Sequence, residues 1–315
     1  MRSSNIGGQA VLEGIMMKNG SDYAVAVRKP DGEIEVKKEK SNDEKFQTIK
    51  KIPFVRGIFQ FIDSLVLGMK TLTYSASFWE EETEEILTEE EAKKQEKKES
   101  FFMTCTVIFS VILAVGIFMV LPYVISDLFS GIITSRFLKT VIEGLIRIVI
   151  FVVYILLVSK MNDIKRVFMY HGAEHKCINC IERGLELTVE NVRKSSKEHK
   201  RCGTSFLFFV LFVSIIVCFF ITVDSKILRI LIRIALLPVI AGISYEIIKL
   251  AGRSENPIVN LLSKPGLALQ KLTTKEPEDD MIEVAIAAVE EVFDWKAYLK
   301  EVFDIEVEEK EHEPS

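Results

Sequence analysis

Three of the chain's four histidines fall in one stretch, His171-Gly-Ala-Glu174-His175-Lys-Cys177-Ile-Asn-Cys180 followed by His199-Lys-Arg-Cys202. On a helix, His-x-x-Glu-His sets two imidazoles one turn apart with a carboxylate beside them, the inverted order of the zinc-protease motif. At about 100° per residue, Ile164, Phe168, His171, His175 and Ile178 lie within about 40° of one line, so the histidines extend an apolar stripe. Cys177 and Cys180 point to the opposite side, and could join a metal site only if the helix ended near Lys176. His199 and Cys202, three apart, can present their side chains together. The candidate ligands are therefore His171, His175, His199 and Cys202, a nitrogen and sulfur set suited to zinc. If one of the last pair does not ligate, an open position remains for a water, with Glu174 as the catalytic proton acceptor. If all four ligate, the site is closed and structural. The competing reading is that histidines on an apolar stripe are hydrogen-bonded core residues and the cysteines small buried apolar groups.

The elements that must position this cluster follow from how hydrophobic and charged residues are segregated. The 315 residues are 49% hydrophobic and 27% charged, and the two kinds alternate in blocks. The net charge of -5 therefore averages unlike regions and gives no support to nucleic-acid binding. Four apolar segments are expected to cross a membrane, at 101–122, 141–158, 203–223 and 227–248. Glu143 and Arg147 lie four apart in the second and can neutralise each other; Arg229 and Arg233 near the start of the fourth are expected to snorkel. Glu143 with Arg147, and Glu246 in the fourth, could instead mark a transport path.

Lysines and arginines crowd the 159–202 loop, whereas the loop between the first two spans offers only Arg136 and Lys139. By the positive-inside rule the His/Cys loop is cytoplasmic, and so are both termini. Met1 to Gln9 lacks the apolar core and cleavage site of a secretory signal, so insertion is expected through the internal spans. Five cysteines, an odd number split between apolar runs and a lysine-rich loop, suit a reduced compartment rather than a disulfide framework.

Residues 1–50 read as a small cytoplasmic segment with a β-hairpin turning at Pro30-Asp31-Gly32. Gly7-Gly8-Gln9-Ala10-Val11-Leu12-Glu13-Gly14 lacks the lysine of a phosphate loop and reads as a tight turn entering a short buried strand. Residues 51–79 are apolar but carry Arg56, Asp63 and Lys70, as an interfacial or re-entrant helix would. Residues 80–100 read as a charged helical linker. In the 249–315 tail, Pro277 and the following acids open an amphipathic helix whose stripe, Ile282, Ile286, Val289 and Phe293, must pack on the membrane surface, the cytoplasmic loop or a partner. The last glutamates are expected to be disordered. The fold class is thus mainly α: a polytopic helical membrane protein of four transmembrane helices with an N-terminal β-hairpin and a C-terminal amphipathic helix.

Four stretches together resemble the YqhQ-like family of bacterial membrane proteins: Gly7 to Met17, Tyr170-His-Gly-Ala-Glu-His-Lys176, His199-Lys-Arg-Cys-Gly-Thr204 and Pro265 to Pro277. The resemblance covers nearly the whole chain and implies an inner-membrane protein described as a predicted metal-dependent enzyme. It also implies that His171, Glu174, His175, His199 and Cys202 belong to the shared pattern while Cys177 and Cys180 do not. The expected function is a zinc-dependent hydrolase. The alternatives are a non-enzymatic scaffold with a structural metal, docking a protein partner or a second copy through the C-terminal helix, and, third, a transport component.

Overall fold

The computed structural model describes residues 3–41, 52–79, 89–129, 131–221, 223, 225–253 and 256–307. The protein is mainly helical with one small antiparallel sheet. It divides into two compact units, one of Met1–Trp79, Ile155–Val210 and Pro238–Ser315, the other of Glu80–Tyr154 and Leu211–Leu237. The strands are β1 (Gly7–Val11), β2 (Gly14–Asn19), β3 (Asp22–Arg28) and β4 (Ile34–Lys40). The helices are α1 (Val55–Ala76), α2 (Glu89–Val115), α3 (Leu121–Leu128), α4 (Arg136–Val158), α5 (Asn162–Glu182), α6 (Val189–Lys194), α7 (Gly203–Phe219), α8 (Lys226–Ala235), α9 (Leu237–Arg253), α10 (Pro257–Thr273), α11 (Asp279–Val292) and α12 (Trp295–Phe303).

In the first unit the four strands form a meander in sequence order. The expected hairpin at Pro30-Asp31-Gly32 joins β3 to β4, with Lys29 N–H donating to Glu33 O at 2.8 Å. A second hairpin joins β1 to β2 through Leu12 and Glu13, where the sequence suggested a turn and a single strand. Glu13 takes a positive φ of 49° with no glycine or asparagine to signal it. Its carboxylate is gripped by Arg166, with Tyr170 OH at 3.3 Å, which offsets the backbone cost. Side-chain alternation gives the sheet two faces. Ile15, Met17 and Ala26 join the core formed with α5 and α11, while Val11, Met16, Val25 and Val27 pack against Leu67, Tyr74 and Phe78.

The stripe on α11 is covered within the chain: Ile282 and Val289 are fully buried in the α5 core, and Ile286 and Phe293 pack against it. That face is therefore not free for the membrane surface or a docked partner. The 80–88 portion of the charged linker and the glutamates beyond 307 lie outside the described residues. Helix α5 runs past Lys176 and ends at Gly184, whose φ of 77° turns the chain, with Leu185 N–H donating back to Cys180 O at 3.1 Å. Cys177 and Cys180 are consequently in the core on the far side from the histidines.

In the second unit, α2 passes through a π-helical turn, Gly116–Val120, into α3, where Pro122 can donate no backbone hydrogen bond. Ser100–Leu128 and Phe137–Val158 are long and apolar enough to cross a membrane. The expected third span forms the apolar but shorter α7. The expected fourth is interrupted at Leu236, because Pro238 withholds the N–H that Ile234 O would accept; α8 and α9 add a third crossing only as one broken span. Arg233, expected to snorkel, is instead buried and donates both terminal nitrogens to Glu143, at 2.6 and 2.9 Å. Arg147 donates to Glu143 at 2.9 Å and to Ser214 Oγ at 2.7 Å, so the expected ion pair is a three-residue cluster. Glu246, which belongs to the first unit, accepts from Arg56 Nε at 2.6 Å.

Candidate metal centre

Helix α5 carries His171 and His175 on the face turned away from Cys177 and Cys180, with Glu174 at the edge of that face. The chain returns beside it between Ser195 and Cys202, pinned by side chains of α5. Lys176 Nζ donates to Arg193 O at 2.8 Å and Ser195 O at 3.0 Å, and Asn179 Nδ2 donates to Ser196 O at 2.6 Å and Glu198 O at 3.0 Å. Gln270 of α10 clasps His199 by its backbone, accepting its N–H at 2.8 Å and donating to its carbonyl at 2.9 Å. Gly172 lets α5 approach the segment after α10, since a Cβ there would collide with Lys275 O.

These supports bring His171, His175 and Cys202 together, with one ligand atom from each lying within 4.8 Å of the others. His171 Nδ1 faces Thr273 O at 2.9 Å and His175 Nδ1 faces Lys197 O at 2.7 Å. A carbonyl can only accept, so each Nδ1 carries a proton, which leaves Nε2 as the atom each ring can offer to a metal. Backbone anchoring of this kind is what orients histidines on a metal. His171 Nε2 lies 3.2 Å from Cys202 Sγ, which also accepts the Thr204 N–H at 3.3 Å as α7 begins.

Burial works against charge on both members of that pair, but their mutual attraction wins. The His171 imidazolium is raised to about 9 and the Cys202 thiol falls well below its ordinary range. The thiolate is the form that binds a metal. Two oriented imidazoles and a thiolate, all buried or half-buried, fit a soft or borderline divalent ion.

His199 stands beside this set rather than in it. Its ring centroid is 5.7 Å from that of His175, and its Nε2 is 3.7 Å from Glu182 Oε2. Burial lowers the His199 pKa despite that carboxylate. Glu182 is itself buried, yet His199, Arg201 and Ser4 hold its carboxyl down at about 2. Ser4 donates to it from both backbone and hydroxyl, at 2.8 and 2.9 Å, which ties the N-terminal segment to the end of α5.

Glu174 is 5% exposed, and its Oε2 has no hydrogen-bond partner. Burial pushes its carboxyl up, opposed by the two imidazoles and by a hydrogen bond from the Gly8 amide. A buried, unpaired carboxylate oxygen is costly and calls for an explanation. It lines a cavity of about 110 Å³ shared with His171, His175, His199, Cys202 and the Ile6-Gly7-Gly8 backbone. That volume holds several waters.

The structure thus brings together His171, His175 and Cys202 and lines the same cavity with Glu174, four of the residues the sequence singled out. Sequence reasoning missed Gln270, Thr273, Glu182 and Gly8, which reach the site from distant segments. The Gly7-Gly8 pair was the one local signal, because paired glycines in a strand mark a close approach by another group.

Compared with known proteins, residues 52–295 match a family described as "Protein of unknown function (DUF1385)". The chain is 38% identical over 290 residues to the "Uncharacterized protein YqhQ" of Bacillus subtilis (strain 168), covering 91% of each. No solved structure matches.

Proposed function

We propose, from the premise that the chain belongs to the DUF1385 family and from the chemistry of the site, that it is a membrane-associated, metal-dependent hydrolase. His171, His175 and Cys202 hold a zinc ion, with His199 beside them as a wall of the cavity. Three protein ligands leave one position open, the arrangement of catalytic rather than structural zinc. The bound ion supplies Lewis acidity. Glu174 takes the proton from a water in the cavity and returns it to the leaving group. The observation that carries this reading is buried Glu174, whose side chain lines the same cavity as the three ligands and whose Oε2 has no hydrogen-bond partner among the described residues. A closed structural centre would have no use for such a carboxylate.

This reading puts the protein in the cell's inner membrane, supported by helices long and apolar enough to cross one. With the lysine-rich 159–202 loop inside, the spans run as four crossings, the fourth through the broken α8 and α9, and both termini are cytoplasmic. The site then lies at the inner surface, open to substrates from the membrane or the cytoplasm.

The test is Glu174→Gln on full-length, zinc-loaded protein in detergent, assayed on pooled fluorogenic esters, amides and phosphoesters. Hydrolysis lost with zinc retained is the expected result. Zinc retained with hydrolysis unchanged would overturn the assignment of the base. Zinc bound by a wild type that hydrolyses nothing in the pool would favour the scaffold reading, in which the same ion clamps the loop between α5 and α7.

A further inference from the structure

The pairing of β1 defines what its free side offers. In the β2–β3 hairpin, Arg28 N–H donates to Glu13 O at 2.9 Å, so Glu13, Ile15, Met17 and Asn19 turn their backbone polar groups toward β3. Gly14, Met16 and Lys18 then turn theirs toward β1, and their partners there are Val11, Gln9 and Gly7. The backbone groups of Gly8 and Ala10 must point the other way. Two observations agree: Gly8 lies against the Glu174 carboxyl, and the Leu12 amide, in the same phase, donates to Ser75 Oγ at 3.2 Å.

β1 is an end strand of the sheet, and its first residues line the cavity beside Glu174. Gly7 and Gly8 leave the strand bare of side chains there. A Cβ on Gly8 would come within 2.7 Å of Met16 O and 3.0 Å of Glu174 Cδ, whereas Gly7 opens onto free space. An edge strand whose Gly8 and Ala10 backbone groups point away from the sheet, beside a site of hydrolysis, selects a ligand that carries complementary backbone groups.

We propose that the substrate is an extended polypeptide, added antiparallel to the β1 edge at Ile6 to Ala10 so that its scissile amide enters the cavity at Glu174. This rests on the hydrolase reading above and names its substrate class. Gly8 C=O accepts a substrate N–H, and Ala10 N–H donates to a substrate carbonyl. Water adds to the scissile carbonyl carbon and loses a proton to Glu174. The C–N bond breaks as Glu174 delivers that proton to the departing nitrogen, giving a carboxylate and an amine.

The test uses full-length zinc-loaded protein in detergent, a pool of mixed-sequence fluorogenic peptides and a small fluorogenic acetate ester, with zinc content measured on every sample. Ala10→Pro removes the edge donor without touching the β1–β2 ladder, and thermal melting checks that the variant folds. Losing one backbone hydrogen bond should cut peptide cleavage by about tenfold, well beyond any change in ester hydrolysis. Methylating successive amides of one cleaved peptide should block cleavage at alternate positions, since only alternate N–H groups face the strand. Ester hydrolysis with no peptide cleavage, or peptide cleavage indifferent to both Ala10→Pro and N-methylation, would overturn the strand-addition proposal while leaving the hydrolase reading intact. Absence of zinc, or of hydrolysis of either substrate, would instead defeat the reading on which it rests.

Discussion

The two units each bury a charged cluster, and they treat the carboxylate in opposite ways. In the second unit Glu143 is saturated: Oε1 accepts from Arg147 and Arg233, and Oε2 from Arg233. Among these terminal groups only the two guanidinium Nε atoms lack partners. In the first unit Glu174 is just as buried, but one oxygen is left unpaired beside a cavity. A saturated buried carboxylate is spent on holding helices together, whereas an unsatisfied one facing a cavity is available to a substrate or a water.

The sharpest way to break this comparison is to remove each carboxylate. Glu143→Ala leaves two guanidiniums unpaired inside an apolar bundle and should cost about 3–5 kcal/mol, visible as loss of folded protein on thermal melting in detergent. Glu174→Gln should lower hydrolysis by about 10²–10⁴-fold with no loss of melting temperature, because the Oε2 it alters has no hydrogen-bond partner to lose. If Glu143→Ala melted normally and Glu174→Gln unfolded the protein, the contrast would be reversed. A smaller effect is expected from Gly172→Ala, which pushes α5 away from Lys275 and so disturbs the Thr273 carbonyl that orients His171. About 1–3 kcal/mol of stability should be lost, together with weaker zinc binding measured by competition with a chelator. Smallest is Gln270→Leu, which orphans the His199 backbone at a cost of about 1–3 kcal/mol and should leave zinc bound.

What was legible in the sequence divides along the same line. His171, Glu174 and His175 share a helix, so their common side follows from helical spacing alone, and Cys202 was singled out by its spacing from His199, a partner that the structure leaves beside the set. The exclusion of Cys177 and Cys180 followed from the same geometry once α5 continued to Glu182. The partners that decide roles were not legible, because they are contacts across long separations. Glu182 draws His199 toward Arg201 and Ser4, Gly8 reaches Glu174 from the first strand, and Arg233 turns inward because Glu143 offers both oxygens. The β1–β2 hairpin was hidden for a different reason: its turn lacks the usual residues and depends on Arg166 and Tyr170 of α5 to hold Glu13. The amphipathic pattern of α11 was legible, but not its destination, since a sheet, a bilayer and a partner all ask for the same stripe.

The central claim, that His171, His175 and Cys202 form a metal site with an open position, is tested most directly by metal analysis. Detergent-purified full-length protein should carry one zinc per chain by mass spectrometry, lost in His171→Ala, His175→Ala and Cys202→Ala and retained in His199→Ala and Glu174→Gln. Folded wild-type protein that takes up no zinc, or folded Cys202→Ala that keeps it, would contradict the account.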